Sequence, residues 1–119
     1  MAARVDQLED AIAPLASLIG VEGAAVVARD GMLLAAKLPP GVDHLTFGAM
    51  SATLLGAATT AAYEFRRKPP AMFAVHMDAW RLLAAEAGDA LVVAVLDRQH
   101  DAADEALRAT AMRVRELLA

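Results

Sequence analysis

Ser17 and Ser51 are the only serines of the chain, and neither stands in the strand–turn–helix glycine pattern that exposes a nucleophile. Both lie in helix-like stretches, where a serine is a packing residue. His44, His76 and His100 fall at a helix start, in a strand and before a helix, with no i, i+4 pair to put two imidazoles on one metal. Asp97, Asp101, Asp104 and Glu105 lack the alternating oxygen spacing of a calcium loop and stand where the acids of a helix start belong. Gly20 and Gly23 come without the lysine of a phosphate loop or the three-glycine spacing of a dinucleotide fold. With no cysteine, thiolate chemistry, disulfides and cysteine-ligated zinc are excluded. The residue types therefore predict no catalysis, no metal, no cofactor and no nucleotide site. Trp80 and Arg81 follow a tight turn; strand alternation groups Trp80 with Leu82 and Ala84, so Trp80 is expected in the core rather than as an exposed anchor.

Without chemistry, the chain must act through surfaces, and its composition says which. The net charge is −4 and the isoelectric point about 5.2, and the one basic run is Arg66, Arg67 and Lys68, which argues against nucleic acid. Hydrophobic residues make up 58% but aromatics only 4%, so an aliphatic, alanine-rich core is expected to leave apolar surface for self-association. Residues 1–119 fit one domain. Asp6, Glu9 and Asp10 interrupt any apolar leader, so a cytoplasmic protein is expected.

The element that must organise the rest is the stretch Asp43 to Lys68. Asp43 can cap a helix, Val42 can staple onto Phe47, and Arg66 to Lys68 with Pro69 and Pro70 end it. Advancing 100° per residue separates two stripes. Phe47, Met50, Leu54, Ala58, Ala61 and Phe65 form a large one, expected on the chain's own sheet. Gly48, Ala52, Leu55, Gly56, Thr59 and Tyr63 form a small one, expected against a second helix. Residues 45 to 63 carry no charge, but the threonines and the alanine content favour a doubly covered helix of a water-soluble domain over membrane insertion.

Around it, residues 3 to 19 read as an amphipathic helix on Val5, Leu8, Ile12, Leu15 and Ile19, with a kink expected from Pro14 and a cap at Gly20. Gly23 to Arg29 and Met32 to Ala36 flank Asp30-Gly31, predicting a hairpin with a two-residue turn. Ala71 to Met77, Trp80 to Glu86 and Ala90 to Leu96 read as a three-strand meander. A last helix starts after a cap at Asp101, with Leu107, Ala111, Val114 and Leu118 inward and Asp104 spaced to pair with Arg108. The fold class is α+β, an α/β sandwich of order α-β-β-α-β-β-β-α. Its antiparallel sheet has order 2-1-5-4-3, with the long helix on one face, the terminal helices on the other, and the third strand as an exposed edge.

Three stretches in this order, GVEGAAVVARDGMLLA (Gly20 to Ala35), LPPGVD (Leu38 to Asp43) and AMSATLLGAATTAAYE (Ala49 to Glu64), resemble the Roadblock / dynein light chain family. The resemblance covers nearly the whole chain and includes bacterial or archaeal Mgl-partner-like small proteins. It implies a homodimer joined through second helices and third strands, and a non-enzymatic regulator or scaffold, in some bacterial members acting on a Ras-like small GTPase. The self-contact expected on this basis comprises Gly48, Ala52, Leu55, Gly56, Thr59, Tyr63, Phe73 and Val75. The GTPase contact expected is the polar strip Thr53, Thr60 and Glu64 with Arg66, Arg67 and Lys68. A small-ligand sensor and a purely architectural scaffold are the competing readings; a sensor needs convergent polar groups, and the inward candidates Val26, Ala74, Val93 and Val95 offer none.

Overall fold

In the computed structural model, which describes residues 2–97 and 101–119, the elements are α1 (Ala2–Ala16), β1 (Val21–Ala28), β2 (Leu33–Lys37), α2 (His44–Glu64), β3 (Met72–His76), β4 (Arg81–Ala87), β5 (Ala90–Leu96) and α3 (Asp101–Leu118). The five strands form one antiparallel sheet of order β2-β1-β5-β4-β3, as expected, with β3 and β2 at its edges. β5 is central and buried on both faces, which suits its unbroken apolar run.

One face is covered by α1 and α3. Leu8, Ile12 and Leu15 from α1 and Leu107, Ala111 and Val114 from α3 pack on Ala24, Val26, Leu83, Val92 and Ala94. Each helix has one apolar stripe, and that stripe is what is buried. The ends differ from expectation. α1 is continuous through Pro14 and stops at Ala16, so Ile19 is exposed; Gly20, at φ 91°, shapes the turn into β1 rather than capping the helix. Val5, at the open end of α1, is also exposed. Asp104 pairs with Arg81 at 3.3 Å, not with Arg108, because Arg81 is buried on this face at the start of β4 and points its guanidinium towards α3. The capping role expected of the Asp101 side chain, and His100, lie outside the described positions.

The other face carries α2 alone, over a smaller cluster of Ala25, Val27, Leu82, Ala84, Leu91 and Val93. Val26 therefore faces away from α2, Ala74 is exposed, and only Val93 and Val95 of the four expected inward positions lie beneath the helix. The hairpin turn is one residue longer than Asp30-Gly31 predicts. Gly31 N–H donates to Ala28 O at 2.9 Å and Ala28 N–H to Met32 O at 2.8 Å, with Gly31 left-handed at φ 96°, so the loop is Arg29-Asp30-Gly31.

Candidate protein-docking site

α2 starts as its sequence requires. The Asp43 carboxylate accepts from Thr46 N–H at 3.2 Å and from the Thr46 hydroxyl. These bonds hold the Asp43 carboxyl below the usual carboxylate range. The helix ends at Glu64, four residues short of Lys68. Arg66 takes a left-handed φ of 55°, Arg66 N–H donates to Tyr63 O at 2.9 Å, and Arg67 N–H donates to Ala62 O at 2.8 Å. That paired closure satisfies the last carbonyls, so the chain turns before the prolines act. Arg66, Arg67 and Lys68 lie beyond the helix, exposed near its negative end.

The sheet-facing line of α2 falls between the two expected stripes. Gly48, Ser51 and Leu55 are its buried residues, and Ser51 satisfies its hydroxyl on Phe47 O at 2.8 Å. Gly48 is fixed by the hairpin: a Cβ there would stand 2.0 Å from Gly31 O. Gly48 and Leu55 are therefore spent within the chain and leave the surface open to a second helix, a correction to the expected small stripe. Ala52, Thr59, Phe73 and Val75 are half-buried, while Gly56 and Tyr63 are exposed, with nothing within 4 Å of a Cβ at Gly56. Of the large stripe, Phe47, Leu54 and Ala58 are half-buried, whereas Met50 and Phe65 are exposed by 53% and 79%.

Thr53, Thr60, Glu64, Arg66, Arg67 and Lys68 are each exposed. Thr53 donates its hydroxyl to Ala49 O at 2.7 Å. Length and composition alone would let α2 span a bilayer, but here it forms one layer of a sandwich. Among the described residues no three His, Asp or Glu side chains stand together to hold a metal.

Between the N-terminal half of α2 and the sheet lies a groove of about 530 Å³ that sequence reasoning missed. Phe47, Met50 and Leu54 form one wall and Met77, Trp80 and Leu82 the other, with Glu22 and Asp43 the charged groups of the lining. Trp80 shares the α2 face with Leu82 and Ala84 but precedes β4, beside a turn closed by Met77 N–H to Trp80 O at 2.8 Å, and is 39% exposed rather than in the core. The available signal was the large stripe itself, which holds more bulk than one helix can bury.

A sequence profile of the Roadblock/LC7 domain matches residues 7–97. The chain belongs to this family. An uncharacterised protein of Methanocaldococcus jannaschii is 31% identical over 78 residues, 66% of this chain and 68% of its own length. Among solved structures, Myxococcus xanthus MglB superposes with a TM-score of 0.89 at 10% identity, over 96% of this chain and 89% of that one. A structure described as MglB with tetrameric arrangement gives 0.88 at 19% identity, over 97% and 90%. At these identities the likeness to the MglB structures is one of fold, and it extends to helix order and sheet order.

Proposed function

We propose that this Roadblock/LC7 protein is a non-enzymatic, homodimeric regulator or scaffold that binds a Ras-like small GTPase. The observation that carries this reading is the half-covered α2 face. A charge-free helical segment, residues 45 to 63, sits beside an unpaired β3 edge, and both offer what a second copy needs: apolar side chains and free backbone hydrogen-bonding groups. The self-association described for one MglB structure is in keeping with it. The GTPase is assigned to the outer side of α2, where Thr53, Thr60 and Glu64 remain open beside Arg66, Arg67 and Lys68. A basic cluster there would steer an acidic partner surface, an effect read in association rate and salt dependence.

The test has two arms. Sedimentation at tens of micromolar should give a dimer, and immobilised dimer should bind a Ras-like GTPase from the same genome in at least one nucleotide state. Thr60→Arg, in the middle of the outer side, should abolish GTPase capture and leave the dimer intact. Binding that survives Thr60→Arg would remove this surface from the reading. Loss of binding to every such GTPase in both nucleotide states would leave an architectural scaffold. The groove favours one further reading, a small-ligand sensor, because its size and apolar walls suit a small molecule.

A further inference from the structure

We infer that the groove beside the N-terminal half of α2 binds a small amphiphilic cation, an alkyl or aromatic body carrying an amine head, with the body against Met50, Leu54 and Trp80 and the head at the carboxylates of Glu22 and Asp43. This site rests on the small-ligand reading of the groove and names its ligand class; neither a dimer nor a GTPase is needed for it.

A break in β1 sets the charge of the groove. Val21 pairs with Leu96 and Gly23 with Val95, so Glu22 is the extra residue of a β-bulge. In an unbroken strand Glu22 would stand opposite Leu96 and point into the sealed core under α1 and α3. The bulge gives that place to Val21 and re-aims the Glu22 carboxylate to the α2 side, where it lines the groove with Val95. Asp43 arrives at the same end. Leu38 and Pro39 pack on Gly23, where a Cβ would stand 3.0 Å from Leu38 Cδ2 and 3.3 Å from Pro39 Cδ, and the loop they begin ends at Asp43. Thr46 holds the Asp43 carboxyl below the usual carboxylate range, so it is ionised at neutral pH.

Neighbouring bases are turned away from this end. Lys37 stands opposite Ala24 and so projects to the α1/α3 face, and Arg81, next to Trp80, reaches Asp104 on α3. Among the described residues neither Glu22 nor Asp43 forms an ion pair, and no base lines the groove. The remaining walls are apolar, with Met50 and Trp80 exposed, and a space of about 530 Å³ is of the size that small-molecule sites have. Two carboxylates without a counter-ion at one end of an apolar slot repel an anionic amphiphile and favour a cation over a neutral molecule of the same shape. Trp80 adds an aromatic face, which attracts an ammonium group or stacks an aromatic body.

Octylamine, octanol and octanoate share one apolar body and differ in the charge of the head, and Trp80, the chain's only tryptophan, lines the groove and reports on it. The full chain is titrated with each at low ionic strength, below the concentrations at which the probes self-associate. Octylamine should bind with a dissociation constant about 3–10-fold below that of octanol, and octanoate more weakly than either. Bound amine should shift Trp80 emission to the blue, and added salt should shrink the preference. Glu22→Gln with Asp43→Asn should erase the preference and leave octanol binding unchanged, since Glu22 is exposed and Asn keeps the helix cap. Equal binding of octylamine and octanol by the wild type would overturn the cation site and leave the small-ligand reading standing. A preference that persists in the double variant would put the amine elsewhere and overturn it too. Absence of saturable binding by all three probes would remove the small-ligand reading and the inference together. Trp80 emission that follows protein concentration and ignores the probes would mean that a second copy fills the groove, with the same result.

Discussion

Along β5, Val92, Ala94 and Leu96 point to α1 and α3, while Leu91 and Val93 point to α2, and the two sets are equally buried. Away from the centre the faces diverge. On the α1/α3 face, Leu8, Ile12, Leu15, Leu107 and Val114 are sealed under two helices. On the α2 face, Phe47, Leu54, Phe73, Val75 and Val95 are only partly covered. The difference lies in the helices. α1 and α3 each have a polar back, so the apolar stripe decides how they sit. α2 is uncharged around most of its circumference, and hydrophobicity alone does not choose its rotation; the Gly48–Gly31 contact does. A face covered by two striped helices is complete within the chain, and a face covered by one uniform helix is left partly open.

The comparison can be broken most directly from the sealed side. Leu107→Ala should cost about 2–5 kcal/mol through lost burial and a cavity and leave the dimer dissociation constant read by sedimentation unchanged, whereas Leu54→Ala should raise it. Should the two variants raise it equally, the faces do not differ as described. Next in size, Gly48→Ala should destabilise by about 1–3 kcal/mol, because the new methyl meets a backbone oxygen that can yield only if hairpin or helix shifts. Gly56→Ala on the same helix should instead stabilise by about 0.5–1 kcal/mol, since the methyl has open space and the helix gains propensity. Opposite signs for two glycines eight positions apart, read from melting curves, would sharpen the distinction between the inner and outer sides of α2.

The smallest effect is electrostatic. The Asp43 carboxyl is lowered by its hydrogen bonds to Thr46, so its contribution is complete above the ordinary carboxylate range and is lost as pH falls through the folded-state value. Asp43→Asn keeps an acceptor and removes the titration. Wild type and variant should therefore melt closer together at about pH 3 than at neutrality, and a gap that widens on acidification would contradict the cap's role.

Element types and sheet order were legible because the signals are local and repeated: a β-rich run around Val26 and Val27 in β1, an unbroken apolar β5, turns too short for anything but antiparallel neighbours. The stripes of α1 and α3 were legible for the same reason. The rotation of α2 was not. Its two stripes flank the buried line instead of opposing it, and only a tertiary contact, Gly31 against Gly48, reveals which way it turns. The groove was hidden because its walls come from α2, the turn before β4 and the loop around Pro39, which no periodicity joins. Arg81 follows Trp80 in the sequence, and alternation sends it to the opposite face, where Asp104 meets it.

The hairpin-to-helix contact has a mechanical consequence. α2 is clamped near its first turns, by the Asp43 cap and by Gly31 beneath Gly48, while its last two turns rest on little of the sheet. A rod held at one end pivots about the clamp rather than sliding. Amide exchange along α2 should therefore form a gradient, slowest around Ser51 and Leu55 and fastest towards Tyr63 and Glu64. Small swings about Gly48 would be magnified at the far end of the helix, roughly 25 Å away.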